Sequence, residues 1–217
     1  MDRIFEKTII RYLKKHYPDE YGKIVDNARR IYPQLMKKAP DLGGRKNSFA
    51  YNMRIFILFL SYYEGSDHRI DGLAFSEIFD EFADHYRLIG NLLNINRKPI
   101  CSFLRKYFYI SYQKYADTVA SKQAKGEWMN TWGMVVDPDH VDEGFAFTLV
   151  GCPLADYARD NGYQHLMPYL CSLDHAYAKL MHAKLIRNHT VASGADSCDY
   201  WYVPDQSNTA KDHNDKQ

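Results

Sequence analysis

The stretch LCSLDHAY, residues 170–177, gathers a thiol, a carboxylate and an imidazole within little more than one helical turn. Cys171 and Asp174 are three residues apart, and Cys171 and His175 four, so on a helix each pair shares a face. A hydrocarbon core needs none of the three. Together they offer a nucleophile, a general base and a proton carrier. Two of them work against each other. An ionised Asp174 raises the pKa of the Cys171 thiol, because one anion disfavours a second. A nucleophilic Cys171 therefore needs a cation, protonated His175 or Arg187, to offset Asp174. The plain alternatives are a small core cysteine and an ordinary polar histidine. Asp174, on a mostly apolar helix, needs a partner wherever it is buried.

Two more thiols lie in the same half of the chain. Cys152 follows FAFTLVG and precedes Pro153, and Cys198 stands directly before Asp199. Cys152, Cys171 and Cys198, with His189, are a donor set for zinc. Asp174, His175 and Asp199 are a donor set for a harder catalytic ion. Against the thiolate site, the chain has no Cys-x-x-Cys pair, and neither set has the spacing of a metal motif, so no metal and no other cofactor is expected.

The elements that position these residues follow from periodicity. Ile4, Phe5, Thr8, Ile9, Tyr12 and Leu13 form one helical stripe. A second helix follows Pro18, with a break near Pro33. DLGGRKN, 41–47, is a loop. Three helices follow: one over about 48–64 ending at Gly65, one over 71–90 starting near Asp71 or Ser76 and stopping at Gly90, and one from Pro99 to Gln123. After Gly126 the pattern changes. Residues 127–137 and 145–152 read as strands that can pair as a hairpin. Pro153 opens a helix that Gly162 ends. HLMPYLCSLDHAYAKLM, 165–181, reads as one helix with Pro168 in its first turn. KLIRNHTVA, 184–192, and CDYWYV, 198–203, read as strands joined by a turn at Gly194. The remainder is polar and reads as disordered.

The expected class is therefore α+β: a helical N-terminal half packed with a small, mainly antiparallel sheet and two helices in the C-terminal half. The division is a helical region, 1–126, an α+β region, 127–203, and a disordered tail, 204–217. No linker separates the first two, which argues for one compact unit.

The chain's 217 residues suffice for a real core, at 46% hydrophobic and 25% charged. A net charge of +1 gives no basic excess for nucleic acid. The most apolar run, IFILFL at 55–60, is far short of the roughly 20 residues a membrane span needs. The N-terminus lacks the apolar core of a secretory signal. Reduced cysteines in a cytoplasm are expected. The expected partner is a small-molecule substrate, with no nucleic acid and no membrane. A homo-oligomer is left open.

Three segments carry a resemblance: FTLVGCPLA at 147–155, GYQHLMPYLCSLD at 162–174, and RNHTVASGADSCDY at 187–200. They are similar to the spaced pattern of the L-2-amino-thiazoline-4-carboxylic acid hydrolases: Cys-Pro, then Leu-Cys-x-x-Asp, then Arg-x-x-Thr-x-x-x-Gly ending in Cys-Asp-aromatic. GGRKN, 43–47, before a long apolar helix resembles the family's N-terminal half, so the likeness spans most of 40–203. The family commonly has Phe after the Cys-Asp pair, and Tyr200 departs from it.

The resemblance implies a hydrolase that opens a small cyclic amidine or thiazoline carboxylate, such as 2-amino-thiazoline-4-carboxylate, to a carbamoyl-cysteine, in cysteine metabolism. That chemistry needs a base for water, an acid for the leaving atom, and a cation for the substrate carboxylate. Cys171, Asp174, Cys198 and Asp199 are the expected catalytic groups. Arg187, Thr190, Cys152 and His175 are the expected substrate-binding groups. Two other readings stand beside this one. The first is a non-catalytic small-molecule-binding or sensor domain of the same fold. The second is a tailoring enzyme acting on another heterocycle.

Overall fold

The computed structural model of the protein describes residues 3–213. In chain order these form α1 (Arg3–His16), α2 (Tyr21–Met36), α3 (Ala50–Gly65), α4 (Gly72–Gly90), α5 (Lys98–Gln123), β1 (Gly133–Val136), β2 (Phe145–Val150), α6 (Pro153–Asn161), α7 (Met167–Cys171), α8 (Leu173–Leu180), β3 (Ala183–Ile186), β4 (Ser197–Pro204) and α9 (Asn208–Asp212). The class is α+β, as expected.

The chain forms two compact units. They do not follow the expected division at residue 126. One comprises Met1–Phe82 with Pro153–Ser172, and the other Ala83–Cys152 with Leu173–Gln217. The first boundary falls inside α4.

The first unit is helical. IFILFL lies within α3 and is buried along its whole length, as its uniform hydropathy requires. Helix α3 packs on α2 where Gly65 meets Ala28. A Cβ on Gly65 would lie 2.7 Å from the Ala28 nitrogen, so only glycine permits that approach. Phe59 packs edge-on to Phe75 and Phe79, while Phe5 stacks on Phe82. Helix α6 joins this core through Tyr157, whose hydroxyl donates to the Leu35 carbonyl at 3.0 Å.

The second unit holds a four-stranded sheet, in the order β1-β2-β4-β3, antiparallel throughout. Alternation along the strands divides its residues between two faces. Phe145, Phe147 and Leu149 of β2 share one face with Cys198, Tyr200 and Tyr202 of β4, since each is paired with its opposite number. The same register puts Ala146 and Thr148 with Asp199 and Trp201 on the other face. Helix α5 covers the first face: Phe108 stacks on Phe145 and Tyr112 meets Phe147 edge-on. Tyr115, also on α5, donates to the Trp132 carbonyl at 3.1 Å. Helix α8 packs on β3.

Several expected boundaries differ. Strand β1 begins at Gly133, and Trp128 lies before it with a φ of 55°. The helix expected over 165–181 is two helices, α7 and α8, interrupted at Ser172. The Ser172 N–H bonds the Tyr169 carbonyl three residues back, and its hydroxyl donates to the same oxygen. This local bonding competes with the helical ladder. Strand β3 stops at Ile186, so Arg187 and Thr190 lie beyond it. The tail expected to be disordered from residue 204 is ordered to residue 213. Pro204 ends β4, and α9 follows with Ser207 as its N-cap. Ala210 packs on Ile186 and Val203, a contact that its polar neighbours hide from composition. The rest of that tail, 214–217, lies outside the described residues.

Candidate active site

The second unit brings Asp174, Arg187 and Tyr200 together. Asp174 sits in the first turn of α8, where the helix dipole favours a carboxylate. Arg187 immediately follows β3, and its guanidinium lies over the Tyr200 ring, 5.4 Å from the centroid. Tyr200 is central in β4 and stacks on Phe147 at 4.7 Å and 7°. Nη1 of Arg187 donates to Oδ2 of Asp174 at 2.8 Å, and the Tyr200 hydroxyl donates to the same oxygen at 3.3 Å. Among the described residues no donor reaches Oδ1.

The surroundings of this carboxyl are unequal. The Arg187 side chain is 8% exposed, whereas Asp174 keeps 30% of its side-chain surface. Protein nevertheless crowds round the Asp174 carboxyl. Desolvation raises the Asp174 pKa above the ordinary carboxylate value; the charge and hydrogen bond of Arg187 and the hydrogen bond from Tyr200 pull it back only in part. A carboxyl poised in this way accepts a proton at a pH nearer neutrality than a free aspartate does.

Cys198 stands on the same sheet face as Tyr200. Its sulfur accepts the Val191 N–H at 3.2 Å. Burial raises the pKa of this thiol, although that N–H and the nearby Arg187 charge oppose the shift. The group is a protonated thiol that pins the loop after β3, a poor nucleophile.

Asp199 is directed elsewhere. It belongs to the other face, so adjacency to Cys198 in sequence does not make a joint site. Its oxygens accept the backbone N–H groups of Asn188 and His189 and the Asn188 side-chain amide, at 2.8–3.0 Å. This carboxylate ties the loop to β4. It does not join Asp174. Thr190 is an N-cap, not a strand residue. It exchanges hydrogen bonds with Ser193 in a capping box that opens the single 3₁₀ turn Val191–Ser193.

Cys152 and Cys171 stand beside two of the three joints where the chain passes between units: Cys152 ends one segment of the second unit, and Cys171 is the last residue of α7 in the first. Both are half-buried and neither is in a disulfide. His175 follows Asp174 on α8, about 100° round the helix. Among the described residues, no three His, Cys, Asp or Glu side chains assemble to hold a metal ion. A cavity of about 490 Å³ lies on the other sheet face, lined by Asp199, Thr148, Trp201 and the loop from Pro138 to Glu143.

Two residues were not singled out for the site from sequence. Tyr200 appeared only as a departure from the Cys-Asp-aromatic pattern, yet its hydroxyl reaches Asp174. Tyr112 of α5 is buried close enough to feel the Asp174 charge. The period of two along CDYWYV was the available signal, since it places 198, 200 and 202 on one side.

A family model described as L-2-amino-thiazoline-4-carboxylic acid hydrolase matches residues 75–202. The chain belongs to this family. The matched span contains every site residue named above and omits α1, α2 and α3. Comparison with curated proteins and with solved structures finds no significant match. The hydrolase family's segment thus coincides with the sheet, with α5 and with the Asp174–Arg187–Tyr200 cluster.

Proposed function

We propose that the protein hydrolyses a small cyclic amidine or thiazoline carboxylate, with 2-amino-thiazoline-4-carboxylate as the type substrate. The observation that carries this reading is the Asp174 carboxyl. One of its oxygens is held by Arg187 and Tyr200, while the other meets no described donor and the side chain keeps 30% of its surface accessible. Family membership supports the reaction class.

The chemistry follows from those groups. The ring carbon between nitrogen and sulfur is electrophilic. Oδ1 of Asp174 takes a proton from water as its oxygen attacks that carbon. Protonating Asp174 removes its negative charge and uncovers the positive charge of Arg187. That charge then stabilises the anionic character of the tetrahedral intermediate and of the substrate carboxylate. Collapse breaks C–S to give a free thiol, or C–N to give a free amine, and the proton held by Asp174 goes to the leaving atom. Both routes conserve atoms and yield a carbamoyl-cysteine.

Incubating the purified protein with 2-amino-thiazoline-4-carboxylate tests this. Thiol and amine release should both be followed, because they distinguish the two bonds. Asp174→Asn should lower kcat by about 100-fold or more, the ordinary weight of a general base. Binding of the compound without turnover, unchanged in Asp174→Asn, would overturn the hydrolase reading in favour of a binding domain.

A further inference from the structure

We propose that Tyr200 is a positioning residue for Asp174: its hydroxyl and Nη1 of Arg187 both occupy Oδ2, which reserves Oδ1 for the reacting water. This deepens the hydrolase reading and rests on it for the reaction, though not for the geometry. The geometry is specific. Tyr200 is 9% exposed, and its ring is fixed between Phe147 and Arg187. A fixed ring fixes the position of its hydroxyl oxygen, and that oxygen lies 3.3 Å from Oδ2. A carboxyl held by one oxygen only from Arg187 can still pivot about that contact. A second donor from another element removes this freedom.

The titration consequence has a definite sign. Donation to a carboxylate favours its charged form. Removing the Tyr200 hydroxyl therefore moves the Asp174 titration to higher pH. The other groups around Asp174 do not blur this. Arg187 stays charged. Tyr112 from α5, and Tyr202 and Cys198 from β4, all have pKa values raised by burial, so they remain neutral in the acid range. His175 and Tyr177 share helix α8 with Asp174, and a carboxyl-specific signal separates Asp174 from both.

Tyr200→Phe is the direct test, because it deletes one oxygen and keeps the stacked ring. Carbon-13 carboxyl NMR of Asp174 should show a midpoint about half a pH unit higher, or more, than in the parent protein. With turnover, the acid limb of the kcat/KM profile should move up in step, while KM at the plateau changes little. Phe147→Leu is the comparison: it loosens the stack that aims the ring but keeps the hydroxyl, so its midpoint should move less than that of Tyr200→Phe. An unmoved midpoint in folded Tyr200→Phe overturns the proposal, as does an equal shift in Phe147→Leu. Absence of turnover in every protein would sink the hydrolase reading, while the titration would still decide the role of Tyr200.

Discussion

Two aspartates, Asp174 and Asp199, show how neighbours decide what a carboxylate is for. Asp199 is saturated by backbone and amide donors from Asn188 and His189. Asp199→Ala orphans two loop N–H groups and should cost about 2 kcal/mol of stability, measured by urea denaturation. Asp174 keeps one oxygen open. Its partner Arg187 is buried, so Asp174→Leu leaves a desolvated charge alone and should destabilise by about 3 kcal/mol. The double variant Asp174→Leu with Arg187→Met should recover most of that loss, and a denaturant double-mutant cycle reads the coupling. The pairing of Asp174 with Arg187 was legible in part: a buried carboxylate needs a partner, and Arg187 was named as a cation near it. The grouping of Asp199 with Cys198 was not a sound reading. Consecutive residues in a strand face opposite ways, so the Cys-Asp pair divides between two faces.

At the scale of elements, the pairing of β2 with β4 depends on Gly144. Its φ is 69°, and a Cβ there would lie 1.8 Å from the Tyr202 carbonyl oxygen. Gly144→Ala should cost about 3 kcal/mol or more, seen as a lowered melting temperature or loss of soluble protein. The helices were legible because α3, α4 and α5 are long and clearly bounded, with Gly65 and Gly90 ending α3 and α4 and Pro99 in the first turn of α5 as expected. Shorter events were not. The break at Ser172 arises from one serine bonding back to Tyr169, which leaves the apolar period intact on both sides. The early end of β3 arises from Asp199 drawing in residues 188 and 189, a partner ten residues away. Thr190 with Ser193 is a Thr-x-x-Ser capping signal that the surrounding β-branched residues masked.

For the whole molecule, the tyrosines set the alkaline limit. The chain has 18, and burial raises Tyr62, Tyr157 and Tyr163 in the first unit and Tyr112, Tyr200 and Tyr202 in the second. Tyr157 is pushed up to about 12. A phenol whose folded pKa exceeds its unfolded value stabilises the fold fully below about pH 10, and that contribution is lost as pH rises through the folded value. Base titration followed by phenolate absorbance should show the exposed tyrosines ionising first. The buried ones should follow in one cooperative step, together with loss of near-UV circular dichroism. None of the helices is long and apolar enough to cross a membrane among the described residues. Strand β4 has one last consequence, for how such a chain can change over generations. Cys198, Tyr200 and Tyr202 serve one side of the sheet while Asp199 and Trp201 serve the other. A single inserted codon within it would turn the phenol away from its acid and drive a carboxylate into the aromatic layer. Variation there is confined to replacement, and lengthening must wait for the loops.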